Sequence, residues 1–185
     1  GRHIQNGAQF FNTGHIPDTN FYSYTYNDYK TLNHHWLSGI VFFLIWKAAG
    51  FLGLHLFFIA VSLVTLAFFY ILAVKRSNLI TATLVGLLIL PLLLERREIR
   101  PEIFSYFFSA IFLWIIFKVR SQEYNPRVLF ILPFLEIIWI NLHIYFFLGI
   151  VIIGVFALES FVLKSTLFKR ITLVLGLTIL ATLIN

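Results

Sequence analysis

The fold is decided by "FLGLHLFFIAVSLVTLAFFYILAV", residues 51–74, an apolar run without any acidic, lysine or arginine residue. At a rise of about 1.5 Å per residue, a helix of this length crosses the roughly 30 Å hydrocarbon core of a bilayer. Lys75 and Arg76 follow the run directly, and basic residues of this kind close a span on its cytoplasmic side. The stretch is therefore predicted to be a transmembrane helix.

The composition of the whole chain extends this prediction. Of its 185 residues, 59% are hydrophobic and only 12% are charged, whereas about a quarter are charged in soluble domains. The net charge of +6 comes from basic residues at the ends of apolar runs, which suits membrane topology and anionic lipid headgroups and not nucleic acid. The chain has no cysteine, so disulfides and thiolate chemistry are excluded. We predict an all-α fold, a polytopic transmembrane helix bundle.

Further apolar runs supply the other predicted spans. They are separated by charged or polar turns and lie at 79–94, 103–117, 128–163 and 171–185. The run 128–163 is interrupted by "NLHIYF" (141–146), so it is predicted to form two spans. Residues 51–185 would then be a bundle of about six spans, the last one truncated. The chain starts without Met and stops inside an apolar run, which we interpret as a fragment of a longer protein.

Residues 1–50 are predicted to form an extracytoplasmic loop that carries interfacial helices. Residues 1–33 are polar and rich in tyrosine, a residue typical of the membrane–water interface. Residues 34–47 have a helical pattern, with Asn33 as the expected N-cap and Trp36 and Trp46 near the two ends. That helix would rise only about 21 Å, so it is predicted to be interfacial or re-entrant and not to span.

The distribution of charge predicts the orientation. If the turn after residue 74 is inside, the inside turns hold eight basic residues and one acid, and the outside regions hold five of each. The positive-inside rule favours this orientation. The polar clusters of the first loop, of 95–102 and of 141–146 then share one face. Polar groups near a bilayer are costly and tend to mark function, so a site is predicted there.

Three clusters supply its candidate residues. His34 and His35 are either part of a solvent-exposed helix N-terminus at the interface or a substrate contact and proton carrier. A shared metal is disfavoured, because adjacent histidines on a helix point about 100° apart and the i,i+4 pairing of a zinc helix is missing. Asn141 and His143 are either a satisfied helix cap or donors to a phosphate. Glu136, inside a span, is expected to face the bundle, either paired or protonated.

The segment "ERREIRPE" (95–102) is the third cluster. It is either a solvated turn that pairs its own charges or a phosphate site. Arg97 and Arg100 could grip phosphate with their planar forks, and Glu98 or Glu102 could act as a base or orient a hydroxyl. The chain has no G-x-S-x-G, Walker or G-x-G-x-x-G motif, so an ATPase or Rossmann enzyme is unsupported.

Several segments together resemble a known family. "GRHIQNG", "TGHIPDTNFYSYT", "NHHWLSGIVFFL", "RPEIFSYFF" and "IIWINLHIYFFLG" are similar to the first half of GT-C-type membrane glycosyltransferases. The nearest branch is that of bacterial relatives of the protein-O-mannosyltransferases and aminoarabinose transferases. The resemblance covers nearly the whole chain. His35 stands where relatives often carry a glutamate.

This resemblance implies a polyprenyl-phosphate sugar donor and inverting transfer on the extracytoplasmic side of the cell membrane. The acceptor would be a glycan, a lipid or a protein. The general base would lie upstream of Gly1, and no metal would be strictly needed, although a pyrophosphate donor would favour a divalent cation. The implied donor-phosphate residues are Arg100, Arg97, His143 and Asn141, and the implied supporting residues are Glu102, Glu98, His34 and His35.

Two other functions remain open from the sequence alone. The same outward cavity would serve a transporter or flippase of a lipid-linked glycan, although no repeat symmetry or paired broken helices of that class are evident. The chain could also be a non-catalytic membrane assembly protein.

Overall fold

A computed structural model describes residues 1–20, 22–26, 29–31, 33, 35–94 and 98–185 of the chain. Within these ranges the chain folds into α-helices and contains no β-strand beyond one isolated bridge. The helices are α1 (Arg2–Thr13), α2 (Trp36–Arg76), α3 (Leu79–Leu94), α4 (Glu102–Arg120), α5 (Leu132–Leu142), α6 (Phe147–Val162) and α7 (Phe168–Ala181). Two 3-10 helices, Pro126–Ile131 and Ile144–Phe146, precede α5 and α6. The all-α prediction is confirmed.

Three of the described helices are long and apolar enough to cross a membrane: Trp36–Arg76, Glu102–Arg120 and Ile144–Val162. These contain the predicted spans 51–74 and 103–117 and the later part of 128–163. Helices α3, α5 and α7 have 16, 11 and 14 residues, fewer than the roughly 20 that a span needs. The membrane class is therefore supported, while the count of about six spans is only partly supported.

Helix α2 consists of two arms, 36–48 and 51–76, that meet at a sharp bend. Gly50 has φ 61° and ψ −156°, a backbone conformation that only glycine adopts readily. A Cβ on Gly53 would lie 3.4 Å from the carbonyl oxygen of Ile45, eight residues earlier, whereas a straight helix would rise about 12 Å over that distance. The predicted short helix before Gly50 is thus present, and the chain bends sharply between it and the second arm.

The start of α2 differs from the prediction. The N-cap position is occupied by His35, not Asn33, and the side-chain oxygen of Asn33 instead accepts a long 3.4 Å bond from the backbone N–H of His35. The helix therefore begins two residues later than the sequence pattern predicts.

Helix α1 packs on the first arm of α2 through two glycines. A Cβ on Gly7 would collide with the carbonyl oxygen of Gly39, so the two backbones touch. Helix α1 ends at Gly14, which has φ 73° and donates its N–H to the oxygen of Phe10 at 2.8 Å. The following loop closes through an antiparallel bridge between Thr19 and Lys30.

The core lies between α4, α5 and α6. The Trp139 ring stacks on Phe108 at 5.5 Å and meets Phe112 edge-on at 5.4 Å, and all three side chains are buried. Gly149 allows α6 to approach closely, since a Cβ there would lie 2.9 Å from the Phe112 ring. Close packing of this kind is what holds helices together in lipid, where burial from water gives no driving force.

The two ends of the bundle hold different residues. At one end Lys75 pairs with Glu123 at 3.2 Å and Arg120 pairs with Glu159 at 2.6 Å. At the other end lie the start of α1, the start of α2, the start of α4 and the end of α5. The turns that the sequence assigned to opposite faces are therefore at opposite ends.

Candidate functional site

The candidate site is built at the end of the bundle where α5 stops. His143 terminates α5 because its backbone is extended, with φ −159° and ψ 145°, while its N–H still donates to the oxygen of Trp139 at 2.9 Å. The change of direction turns the His143 side chain inward, and only 5% of it is exposed. The polar interruption that the sequence predicted thus becomes a buried imidazole.

A hydroxyl on α4 fixes the orientation of that imidazole. Ser105 Oγ lies 2.7 Å from His143 Nδ1 and accepts a bond from Trp139 Nε1 at 2.9 Å. An indole can only donate, so one arrangement satisfies all three groups: Trp139 donates to Ser105, and Ser105 donates to Nδ1 of His143. In that arrangement the ring proton sits on Nε2, which makes Nε2 a hydrogen-bond donor.

Two further histidines complete what we call the histidine cluster, made of His3, His35 and His143. The rings of His35 and His143 stack with centroids 5.2 Å apart, and the rings of His3 and His35 are 6.3 Å apart. Their sources are α1, the N-cap of α2 and the end of α5. The cluster therefore joins parts of the chain that are distant in sequence.

The environment keeps the imidazoles of His3 and His143 neutral. Burial lowers the pKa of His143 to about 4, with a further lowering from His35, while nearby Glu102 opposes the shift. Burial likewise lowers the pKa of His3 to about 4, helped by His35 and Arg2. Both rings are uncharged near neutral pH, so they act as neutral donors or acceptors.

Asn141 ties the end of α5 to the start of α2. Its side-chain oxygen accepts from Trp36 Nε1 at 2.6 Å, and its amide nitrogen donates to the backbone oxygens of Ile137 at 2.7 Å and Ile184 at 3.1 Å. These contacts use both N–H donors of the amide, which matches the interpretation of Asn141 as a satisfied helix end. Trp36 therefore also positions the site.

The acidic and arginine residues of the site lie at the start of α4. Arg100 is half exposed and its guanidinium pairs with Glu98, with Nε donating to the carboxylate at 2.6 Å. Glu102, the first residue of α4, is close enough to influence His143. His34 and Arg97 lie outside the described residues. The structure thus brings both Glu102 and His35 to His143, and gives Arg100 the neighbour Glu98.

Two residues of the site were not predicted from the sequence. Ser105 is 1% exposed and Trp139 is fully buried, yet they set the tautomer of His143. A usable signal was present for Ser105, because it is a hydroxyl in an apolar helix one turn after Glu102. Nothing in the pattern around Trp139 distinguishes it from an ordinary core aromatic residue.

The described residues do not bring together three or more histidine, aspartate or glutamate side chains in a way that could hold a metal ion. The stacked rings of His35 and His143 present their faces to each other and not their nitrogen lone pairs to a common point. The polar groups available to a ligand are therefore hydrogen-bond donors and acceptors and the charges at the start of α4.

Glu136 lies deeper, inside α5. Its side chain is fully buried, as predicted, and a Cβ on Gly149 of α6 would collide with its Oε2. Of its two predicted alternatives, pairing is not found, since no described residue forms a hydrogen bond with either oxygen.

No family model matches the chain, and neither a curated protein nor a solved structure matches it.

Proposed function

We propose that this chain contributes the donor-phosphate site of a membrane glycosyltransferase that uses a polyprenyl-phosphate sugar. One observation carries the proposal: the "NHHW", "RPE" and "NLH" segments supply His35, Glu102 and His143, which meet at one end of an apolar helical structure. These are three of the segments on which the family resemblance depends.

The chemistry of the site suits a leaving phosphate. A neutral His143 with its proton on Nε2 can donate to a phosphate oxygen without itself changing charge. Arg100 supplies a permanent positive charge and a planar fork that matches phosphate oxygens. Donors held in place before the reaction stabilise the charge that develops on the leaving group. Asn141 and Ser105 act as positioning residues, since their side chains are bonded to protein.

In the proposed step, a hydroxyl of the acceptor attacks the anomeric carbon of the sugar. The bond between that carbon and the phosphate oxygen breaks, and polyprenyl phosphate leaves with the electron pair. A carboxylate accepts the proton of the attacking hydroxyl, and Glu102 and Glu98 support it by orienting charge around the phosphate. The acceptor class is a glycan, a lipid or a protein.

The proposal includes a location. The chain would form a polytopic bundle in the cell membrane, with the histidine cluster on the extracytoplasmic side and the first arm of α2 at the interface. The basic turns at the opposite end favour this orientation by the positive-inside rule. A lipid-linked donor would then reach the site from the bilayer with its sugar in the aqueous space.

The test uses the full-length protein reconstituted in liposomes that contain a polyprenyl-phosphate hexose with a labelled sugar. With a glycan, lipid or protein acceptor added, we expect label to leave the polyprenyl-phosphate donor, as followed by chromatography of that donor, and His143→Ala to slow the release at least ~10²-fold, as loss of an oriented donor to a leaving oxyanion does. His143→Gln places an amide donor near the position of Nε2 and should recover part of the rate. His55→Gln is the matched control, because His55 is exposed on the second arm of α2.

Two outcomes contradict the proposal. Equal release by wild type and His143→Ala would remove the histidine from the site. Movement of the intact labelled donor across the bilayer without release of sugar would assign the chain to the transporter class instead.

A further inference from the structure

A second cluster of charge lies at the end of the bundle opposite the histidine cluster. It consists of Lys75 and Arg76 at the end of α2, Lys118 near the end of α4, and Ser121 and Glu123 in the turn that follows. We call it the basic cleft. These side chains and Leu72 and Phe117 line a cleft of about 250 Å³.

One carboxylate organises the cations of the basic cleft. Glu123 Oε2 forms ion pairs with the ammonium groups of Lys118 and Lys75, the latter at 3.2 Å. The hydroxyl of Ser121 donates to Oε1 at 3.0 Å. Hydrogen bonds from Lys118, Ser121 and Lys75, in that order of effect, lower the pKa of Glu123 to about 2. Glu123 is therefore ionised at physiological pH, and three cations and one anion leave the cleft with a net positive charge.

Arg76 is the cation best placed to bind an added anion. Its guanidinium lies 4.3 Å from the centre of the Phe117 ring, which holds it over the cleft by a cation–π contact. Among the residues that the structure describes, no carboxylate forms an ion pair with it. Lys118 is similarly held, 5.0 Å from the Trp114 ring, with only 12% of its side chain exposed.

We propose that the basic cleft binds the phosphate headgroup of an anionic phospholipid. The planar fork of Arg76 fits two phosphate oxygens, and Lys75 adds a second positive charge beside it. Leu72 and Phe117 give the cleft an apolar floor for the first carbons of an acyl chain. Basic pockets between membrane helices on the cytoplasmic side bind such headgroups. The site is separate from the sugar-transfer proposal and does not depend on it.

The experiment measures lipid binding to the purified whole chain in a neutral detergent. Phosphatidylglycerol, phosphatidylcholine and inorganic phosphate are added separately, and bound lipid is counted by native mass spectrometry while the midpoint of thermal unfolding is followed. We expect phosphatidylglycerol to bind and to raise the midpoint, and phosphatidylcholine to do neither. The variants Arg76→Gln and Lys75→Gln should each weaken phosphatidylglycerol binding by about tenfold, as loss of a charge-assisted bond does.

Two further variants test the role of the guanidinium and control for basic residues outside the cleft. Arg76→Lys retains the charge and the contact with Phe117 but loses the fork, so weakened binding by a protein of normal stability would support bidentate recognition. Lys169→Gln removes a basic residue of α7 outside the cleft and should bind as wild type does. Equal binding of phosphatidylglycerol and phosphatidylcholine, or equal binding by wild type and Arg76→Gln, would overturn the proposal. Stabilisation by inorganic phosphate equal to that by phosphatidylglycerol would show a small-anion site and overturn the lipid assignment.

Discussion

The imidazole rings of His35 and His143 stack with their centroids 5.2 Å apart and their planes 24° from parallel. One ring comes from the N-cap of α2 and the other from the residue that ends α5. Two protonated rings at this separation would repel each other, so the stack itself favours at least one neutral ring. The stability of this end of the bundle should therefore depend on pH.

The first prediction concerns acid. The pKa values of His3 and His143 are lowered to about 4 in the folded chain, against about 6.5 in the unfolded chain. The folded state thus binds fewer protons between those values, and its stability is complete above about pH 6.5 and falls as the pH approaches 4. The unfolding midpoint in detergent should drop by at least ~5 °C between about pH 7.5 and about pH 4.5.

Variants locate the source of that pH dependence. His3→Gln should remove part of it, because the ring that avoids protonation is gone. The exposed residue His55 is the control, and His55→Gln should leave the pH dependence unchanged. If His3→Gln and His55→Gln both retained the full dependence on pH, the buried imidazoles would not be its cause.

The second prediction tests the tautomer of His143. Ser105→Ala leaves the N–H of Trp139 and Nδ1 of His143 without their partner in a buried place. Loss of one partner of a buried polar group costs about 1–3 kcal/mol, so the unfolding midpoint should fall by several degrees. The nitrogen-15 chemical shifts of His143 should also change, because the proton is no longer confined to Nε2. Unchanged shifts would mean that Ser105 does not select the tautomer.

The sequence predicts the helices better than it predicts the site. Length and hydrophobicity alone define the second arm of α2, and the "NLHIYF" interruption marks the end of α5. The stack of His35 on His143 depends instead on how α2 bends at Gly50 and how closely α1 approaches through Gly7, and no local pattern specifies either. Asn33 failed as the N-cap because adjacent polar residues offer several possible helix starts, and packing of Trp36 on Asn141 selects one.

The third prediction concerns packing at Gly149. A methyl group there would collide with Oε2 of Glu136 and lie 2.9 Å from the Phe112 ring, and neither neighbour is at the surface. Gly149→Ala should therefore destabilise the fold by about 1–3 kcal/mol, the usual cost of overpacking. Gly154→Ala is the control on the same helix, since a Cβ at Gly154 has no neighbour within 4 Å. Equal thermal midpoints for the two variants would contradict the close packing of Gly149 against Glu136 and Phe112.

The fourth prediction concerns the topology of the first arm of α2. The chain has no cysteine, so single cysteines at positions 33 and 47 can be labelled cleanly in sealed vesicles. If this arm lies at the interface and the chain turns back at Gly50, both positions should react with an impermeant reagent from the same side. A cysteine in place of Ser77, at the far end of the second arm, should react from the other side. Labelling of positions 33 and 47 from opposite sides of the membrane would show that the first arm is a membrane span. His35 would then not belong to a site at the interface.

The last prediction concerns Arg100 and its neighbour. Arg100 is bonded to Glu98 at the surface, with about half of its side chain exposed. A donor phosphate that binds Arg100 must share the guanidinium with the Glu98 carboxylate or displace it. Glu98→Gln removes the competing charge, so the affinity for polyprenyl phosphate should rise a few-fold, because a charge-assisted bond is about twice as strong as a neutral one.

Arg100→Lys should have the opposite effect, since it keeps the charge and loses the planar fork. We expect binding of polyprenyl phosphate to weaken by roughly tenfold in liposomes, with the thermal midpoint unchanged because the Arg100 side chain is exposed. Equal affinity for the wild type and for the Arg100→Lys and Glu98→Gln variants would show that the phosphate binds elsewhere.

Glu102→Gln should lower the rate of sugar release modestly and leave it measurable, whereas loss of the general base costs ~10²–10⁴-fold. Complete loss of sugar release in Glu102→Gln, with affinity unchanged, would instead identify Glu102 as the base, because a residue that only orients charge cannot abolish the chemical step alone.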